Sequence, residues 1–114
     1  MAAEAQKQAI PASLFSRSTE LHNQDKVPMA TTAARDLIRV VELTEQVVAI
    51  GLLAACQAHD LRGFPAAGPI GTLRAGVRRV APRLVEDRRM DLDVAAVLDR
   101  MRSGALGDDD RSAA

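Results

Sequence analysis

The chain has 114 residues, with 15 basic and 15 acidic side chains and a formal net charge of zero. That length allows at most one small domain with a modest core, and the balanced charge argues against nucleic-acid or membrane-surface binding driven by bulk charge. Apolar residues make up 47% but aromatics only 2%, with no Tyr and no Trp, so any core is built from Ala, Val, Leu, Ile and Met.

Residues 1–9 are Ala-rich and polar and read as the end of a helix. Pro11 stops that pattern, because the residue before a proline avoids the helical region. Residues 10–25 read as an irregular connection carrying Ser13, Ser16, Ser18, Thr19, Asn23 and Asp25, side chains that bond locally to backbone. Connections of this length without secondary structure are uncommon unless they carry function.

From Lys26 to Leu61 the only internal breaker is Gly51, and the spacing predicts one very long helix. Asp25 is a good N-cap, and Pro28 is tolerated in a first turn. Apolar positions recur at Ala30, Ala33/Ala34, Leu37, Val40/Val41, Val47/Val48, Leu52, Ala55 and Ala58. Asp36–Arg39 and Arg39–Glu42 can pair across a turn. About 35 residues make a rod of roughly 50 Å, longer than a globule of this size is wide. From Val47 to Ala58 the helix is apolar almost all round and needs cover on every side. Three short helices cannot supply that cover, so other chains, or further parts of a larger protein, are expected to. The run Val47–Cys56 is too short to span a bilayer.

Gly63, Pro65, Gly68, Pro69 and Gly71 mark a loop. A second helix is predicted from Ile70 or Thr72 to Val85, striped by Leu73, Val77, Val80/Ala81 and Leu84, with Pro82 kinking or shortening it. Asp91 or Asp93 caps a third helix to Arg102, with Leu92, Val94/Ala95, Leu98 and Met101 inward and Gly104 as its stop. Residues 105–114 read as a disordered tail. The fold class is therefore all-α: a loop at 10–25, then a helical segment over 26–104. The basic cluster from Arg74 to Arg89 reads as a solvated helix face. The single Cys56 gives no intrachain disulfide and no zinc set, which fits a reducing, cytoplasmic setting. MAAEAQKQAI lacks the apolar core of a signal peptide.

The chemistry is concentrated in SRSTELHNQDKVPM, residues 16–29. Glu20 can accept a proton or bind an ammonium, and the amides of Asn23 and Gln24 can fix a polar ligand. The same residues can equally serve only to cap the helix that follows. His22 and His59 read as structural; they are far apart in sequence and no third ligand is evident, so no metal site is expected. Cys56 and His59 share a helix face, but nothing predicts the exposure or the orienting acid that a catalytic pair needs. No Gly-rich phosphate loop is present.

The order of these residues adds to that reading. The run from SRSTELHNQDKVPM through AARD and ELTEQV to LLAACQAHDLR resembles the C-terminal part of the aromatic amino acid ammonia-lyase and aminomutase family. The family includes phenylalanine, tyrosine and histidine ammonia-lyases. The resemblance extends from about Gln8 to Gly104, and the HNQDKV and ELTEQV runs are most similar to bacterial tyrosine or phenylalanine enzymes. It implies that Glu20 is a catalytic acid near the substrate amine and that Asn23 and Gln24 bind substrate. Enzymes of the family that act on histidine usually carry Glu where this chain has Gln24, which implies an aryl substrate here. The resemblance also implies a nearly all-helical fold, tetramers with long helices in a central bundle, and active sites shared between chains. The family's electrophile, a methylidene-imidazolone, forms from Ala-Ser-Gly. This chain has Ala12-Ser13-Leu14 and no tyrosine to act as the family's base. That group and that base are therefore expected in a missing N-terminal part or in a homologous lyase subunit, and Pro28 and His59 are further departures. Two other readings are a stand-alone helical oligomerisation module and a fragment turned to other small-molecule chemistry.

Overall fold

A computed structural model describes residues 1–24 and 26–107. It is helical: α1 (Ala2–Gln8), a 3-10 turn (Ala12–Phe15), α2 (Ala30–Arg62), α3 (Gly68–Arg78) and α4 (Asp91–Arg102), with no strand among the described residues. The chain divides into two compact units, Met1–Glu45 and the residues from Gln46 on, so the boundary falls within α2.

In the first unit, Arg39 joins α2 to α1. Its guanidinium donates to Glu4 at 2.8 and 3.1 Å and to Glu42, one turn along, at 3.3 Å. The hydrogen bond from Arg39 holds the Glu4 carboxyl below its usual range. Both partners are solvated, so the pair adds little stability and mainly orients α1. α2 begins at Ala30, later than Lys26, and Pro28 lies outside it. The cause is local. Val27 precedes Pro28 and is biased away from helix, and Ser16 Oγ both donates to the Val27 carbonyl (2.8 Å) and accepts the Val27 N–H (3.1 Å). Asp25, expected as the N-cap, lies outside the described residues.

In the second unit, Ala49, Leu53 and Cys56 of α2 pack with Val77 and Ala81 and with Val97 of α4. These α2 residues are offset from the apolar positions named by periodicity, of which Val47 and Val48 stay exposed. α3 ends at Arg78 instead of Val85, because the Pro82 ring would strike the carbonyl four residues back. The chain after α3 is tied down by Gln57. Its amide accepts the Leu84 N–H (3.1 Å) and donates to the Leu84 carbonyl (2.8 Å), as a neighbouring strand would.

α4 has the expected span, but neither acid is its N-cap. Met90 holds that position, and Asp91 and Asp93 stand in the first turn, where negative charge meets the positive end of the helix. Asp93 is buried and takes Arg88 at 2.7 Å; Asp91 takes Arg89 at 2.5 Å. Leu92, expected inside, is exposed, and Val97 is fully buried instead. Gly104 ends the helix with φ 74°. Its N–H bonds Met101 O (3.1 Å) and the Ala105 N–H bonds Arg100 O (3.0 Å), the paired pattern of a left-handed C-terminal cap. The expected tail over 105–114 lies outside the described residues from 108 on; Ala105–Gly107 continue the turn after α4.

Candidate functional site

The loop between the 3-10 turn and α2 folds back on itself. Thr19 and Gln24 face each other as an isolated antiparallel bridge, Thr19 N–H to Gln24 O at 3.0 Å and Gln24 N–H to Thr19 O at 3.2 Å. Within it the Asn23 N–H bonds Glu20 O at 3.0 Å. Reversing direction in so few residues forces three consecutive left-handed conformations, Glu20 (φ 52°), Leu21 (φ 54°) and His22 (φ 68°). None is glycine, so each stores strain of about 1–2 kcal/mol. Strain of this kind clusters where a side chain has to be aimed.

Local side-chain bonds brace the turn. Ser18 Oγ and His22 Nδ1 share a hydrogen bond of 2.7 Å, and the Thr19 hydroxyl donates to Gln24 Oε1 at 3.2 Å. His22 is thus a structural partner in the loop, as its neighbours suggested. The Gln24 NH2 donates to no described residue. Glu20, Asn23 and Gln24 are all exposed, and the side chains of Glu20 and Asn23 bond to no described residue. α2 starts six positions beyond Gln24 and these three side chains make no bond to its first turn, so helix capping is not their role. The loop brings all three sequence-predicted site residues onto one six-residue turn.

The remaining candidates separate clearly. Cys56 is buried, and burial pushes its thiol pKa up, opposed in part by Arg78. That is the reverse of an activated nucleophile. No group of three or more metal-ligating side chains occurs among the described residues, and no described helix is long and apolar enough to cross a membrane.

A second charged cluster escaped sequence reasoning. Arg74 and Arg78, read as part of a solvated face, both bind Asp60 at the end of α2. Arg74 Nε donates to Oδ1 at 2.7 Å and Arg78 Nε to Oδ2 at 2.8 Å. Burial raises the Asp60 pKa, but the two guanidinium groups outweigh it and the net shift is downward. The available signal was the four-residue spacing of the arginines, which puts both on one face of a helix.

Comparison with known proteins gives a consistent set of likenesses. The family model for aromatic amino acid lyases matches residues 1–80. Histidine ammonia-lyase of Caenorhabditis elegans is 39% identical over 84% of this chain, and tyrosine ammonia-lyase of Cupriavidus metallidurans is likewise 39% identical over 84%. The crystal structure of histidine ammonia-lyase from Trypanosoma cruzi superposes with a TM-score of 0.82 at 39% identity, over 91% of this chain. The chain spans 14%, 18% and 21% of these three proteins, respectively.

Proposed function

Because the chain belongs to the aromatic amino acid lyase family, we propose that it supplies the Glu20–Gln24 side of an active site that eliminates or migrates the α-amine of an aromatic amino acid. The observation that carries this reading is the strained turn over residues 19–24, which presents Glu20, Asn23 and Gln24 to solvent, the side chains of the first two bonding to no described residue. Glu20 offers a carboxylate to the substrate ammonium and can take up a proton there. Asn23 and the NH2 of Gln24 orient the rest of the substrate. Gln24 is neutral where a histidine-specific enzyme usually carries Glu, and this favours phenylalanine or tyrosine. Two of the three relatives compared are histidine enzymes, which favours histidine; turnover measured on all three amino acids separates the two.

The residues present do not fit formation of the methylidene-imidazolone. Ala12-Ser13-Leu14 sits in a 3-10 turn with Leu14 N–H on Pro11 O (3.1 Å) and Ser16 N–H on Ser13 O (3.2 Å), and the third residue is not glycine. The electrophile and the tyrosine base then belong to other lyase sequence, supplied by a further part of the protein or by a homologous subunit in an oligomer. The 114 residues alone turn over nothing on this reading.

The test is complementation. The chain is co-expressed with a homologous lyase protomer cut just before the matching region, and ammonia release is followed with phenylalanine, tyrosine and histidine. Restored turnover that is lost with Glu20→Gln supports the reading. A stable complex without turnover, beside a control in which the protomer's own C-terminal part restores it, overturns it. Turnover by the 114 residues alone overturns the assignment of the electrophile elsewhere.

A further inference from the structure

A cleft of about 580 Å³ opens at the C-terminal end of α2, lined among others by His59, Asp60, Phe64, Arg74, Arg78 and Arg83. All of these residues belong to the second unit, and a ligand bound there is independent of the role of residues 16–24. Three guanidinium groups face one carboxylate, so two positive charges are left uncompensated. The hydrogen bonds already made within the cluster decide which charges remain available.

The Asp60 side chain is only 4% exposed, and both of its oxygens are occupied by Arg74 and Arg78. Arg78 is fully engaged: Nε binds Asp60, Nη1 donates to the Ala81 carbonyl at 2.9 Å, and Nη2 faces Gln57 Oε1 at 3.5 Å. Arg74 turns Nε and Nη2 toward Asp60 and keeps Nη1. The guanidinium of Arg83 makes no hydrogen bond or ion pair with any described residue. Phe64, 67% exposed, presents an apolar ring at the same cleft.

We propose that this cleft binds a dianionic oxyanion of the phosphate type, through Arg74 Nη1 and the guanidinium of Arg83. The buried Asp60 holds the Arg74 fork in place before the ligand arrives, which lowers the ordering cost of binding. Guanidinium groups match phosphate oxygens in shape as well as charge. The excess of two positive charges matches a dianion rather than a single carboxylate. The ligand is either free phosphate or a phosphate ester whose organic part lies on Phe64.

Isothermal titration of the chain with inorganic phosphate and with phenyl phosphate, at constant ionic strength in chloride, tests this. One saturable site per chain is expected, with affinity about tenfold lower or more in Arg83→Gln, the loss expected for a charge-assisted hydrogen bond. Arg83 has no side-chain partner among the described residues, so the melting curve of that variant should not move. Arg83→Lys keeps the charge without the fork and should fall between the two. Tighter binding of phenyl phosphate, abolished by Phe64→Ala, identifies an ester ligand; equal binding identifies free phosphate. Absence of saturable binding up to millimolar phosphate, or unchanged affinity in both Arg83 variants, overturns the proposal.

Discussion

Glu20, Leu21 and His22 share one backbone conformation but not one role. Leu21 is 101% exposed at φ 54°, so its side chain contributes nothing to packing while its Cβ strains the turn. Leu21→Gly should therefore stabilise the chain, the left-handed penalty of about 1–2 kcal/mol being only partly offset by glycine's entropy cost of about 0.5–1 kcal/mol. A lower denaturant midpoint would show that the turn is not under strain. Glu20 and Gln24 invite a different pair of changes in the complemented enzyme. Glu20→Gln keeps volume but removes the charge beside the amine and should lower turnover for every substrate. Gln24→Glu places a carboxylate where an aryl ring approaches, and an unpaired charge there is costly. It should weaken phenylalanine or tyrosine relative to histidine. Neither should shift the melting temperature, since neither side chain caps α2. An unchanged selectivity ratio in Gln24→Glu would remove that residue from the substrate pocket.

The packed elements of the second unit depend on a close approach and on a buried ion cluster. A Cβ on Gly76 would lie 2.3 Å from the Leu106 carbonyl oxygen, which is backbone and cannot swing away. Gly76→Ala should cost about 1–3 kcal/mol, as overpacking does, read as a lower urea midpoint with an unchanged slope. The Asp60 cluster sets the acid response. Its carboxyl is held below the ordinary 3.8, so its stabilising contribution is fully present above that value. That contribution is lost as pH falls through the lower folded-state value. Asp60→Asn should cost about 3 kcal/mol near neutral pH, the lower end for a broken buried pair because Arg74 keeps water contact, and it should flatten the acid limb of the stability profile. An acid limb identical to that of the unaltered chain would mean the cluster is not what acid breaks. These features also mark where sequence reasoning stopped. The loop was legible because its chemistry lies in consecutive residues. Helix spans were legible in part from breakers and periodicity: α2 starts late because Ser16 holds Val27, and α3 stops at Arg78, seven residues short of Val85, because of Pro82. The buried face of α2 was not legible: on a helix apolar all round, periodicity cannot tell Leu53 and Cys56 from Val47 and Val48. Gln57 bridging Leu84, 27 positions along the chain, left no local signal at all.

For the chain as a whole, the deciding feature is apolar surface that its own helices leave uncovered. α2 exposes Leu37, Ile38 and Val41 in the first unit and Val47, Val48 and Ile50 in the second. Such surface drives association when it is contiguous, and a helix apolar on all sides is stable only when every side is covered. The aromatic amino acid lyase that the chain superposes on is about four times as long, since 91% of this chain covers 21% of it, so cover can come from sequence beyond these residues or from other copies. The 114-residue chain by itself should therefore sediment as an oligomer at micromolar concentration. Its association should be insensitive to salt, since apolar contacts carry it rather than charge pairs, which salt screens. Replacing Val48 and Ile50 by Lys should shift it toward monomer, because each charge must be desolvated before the face can close. The same double change touches no residue of the buried core, Ala49, Leu53 and Cys56 keeping their contacts, so helix content should hold while the oligomer falls apart. A compact monomer that unfolds cooperatively, seen for the unaltered chain by sedimentation and melting, would mean that α2 does not use this face for association.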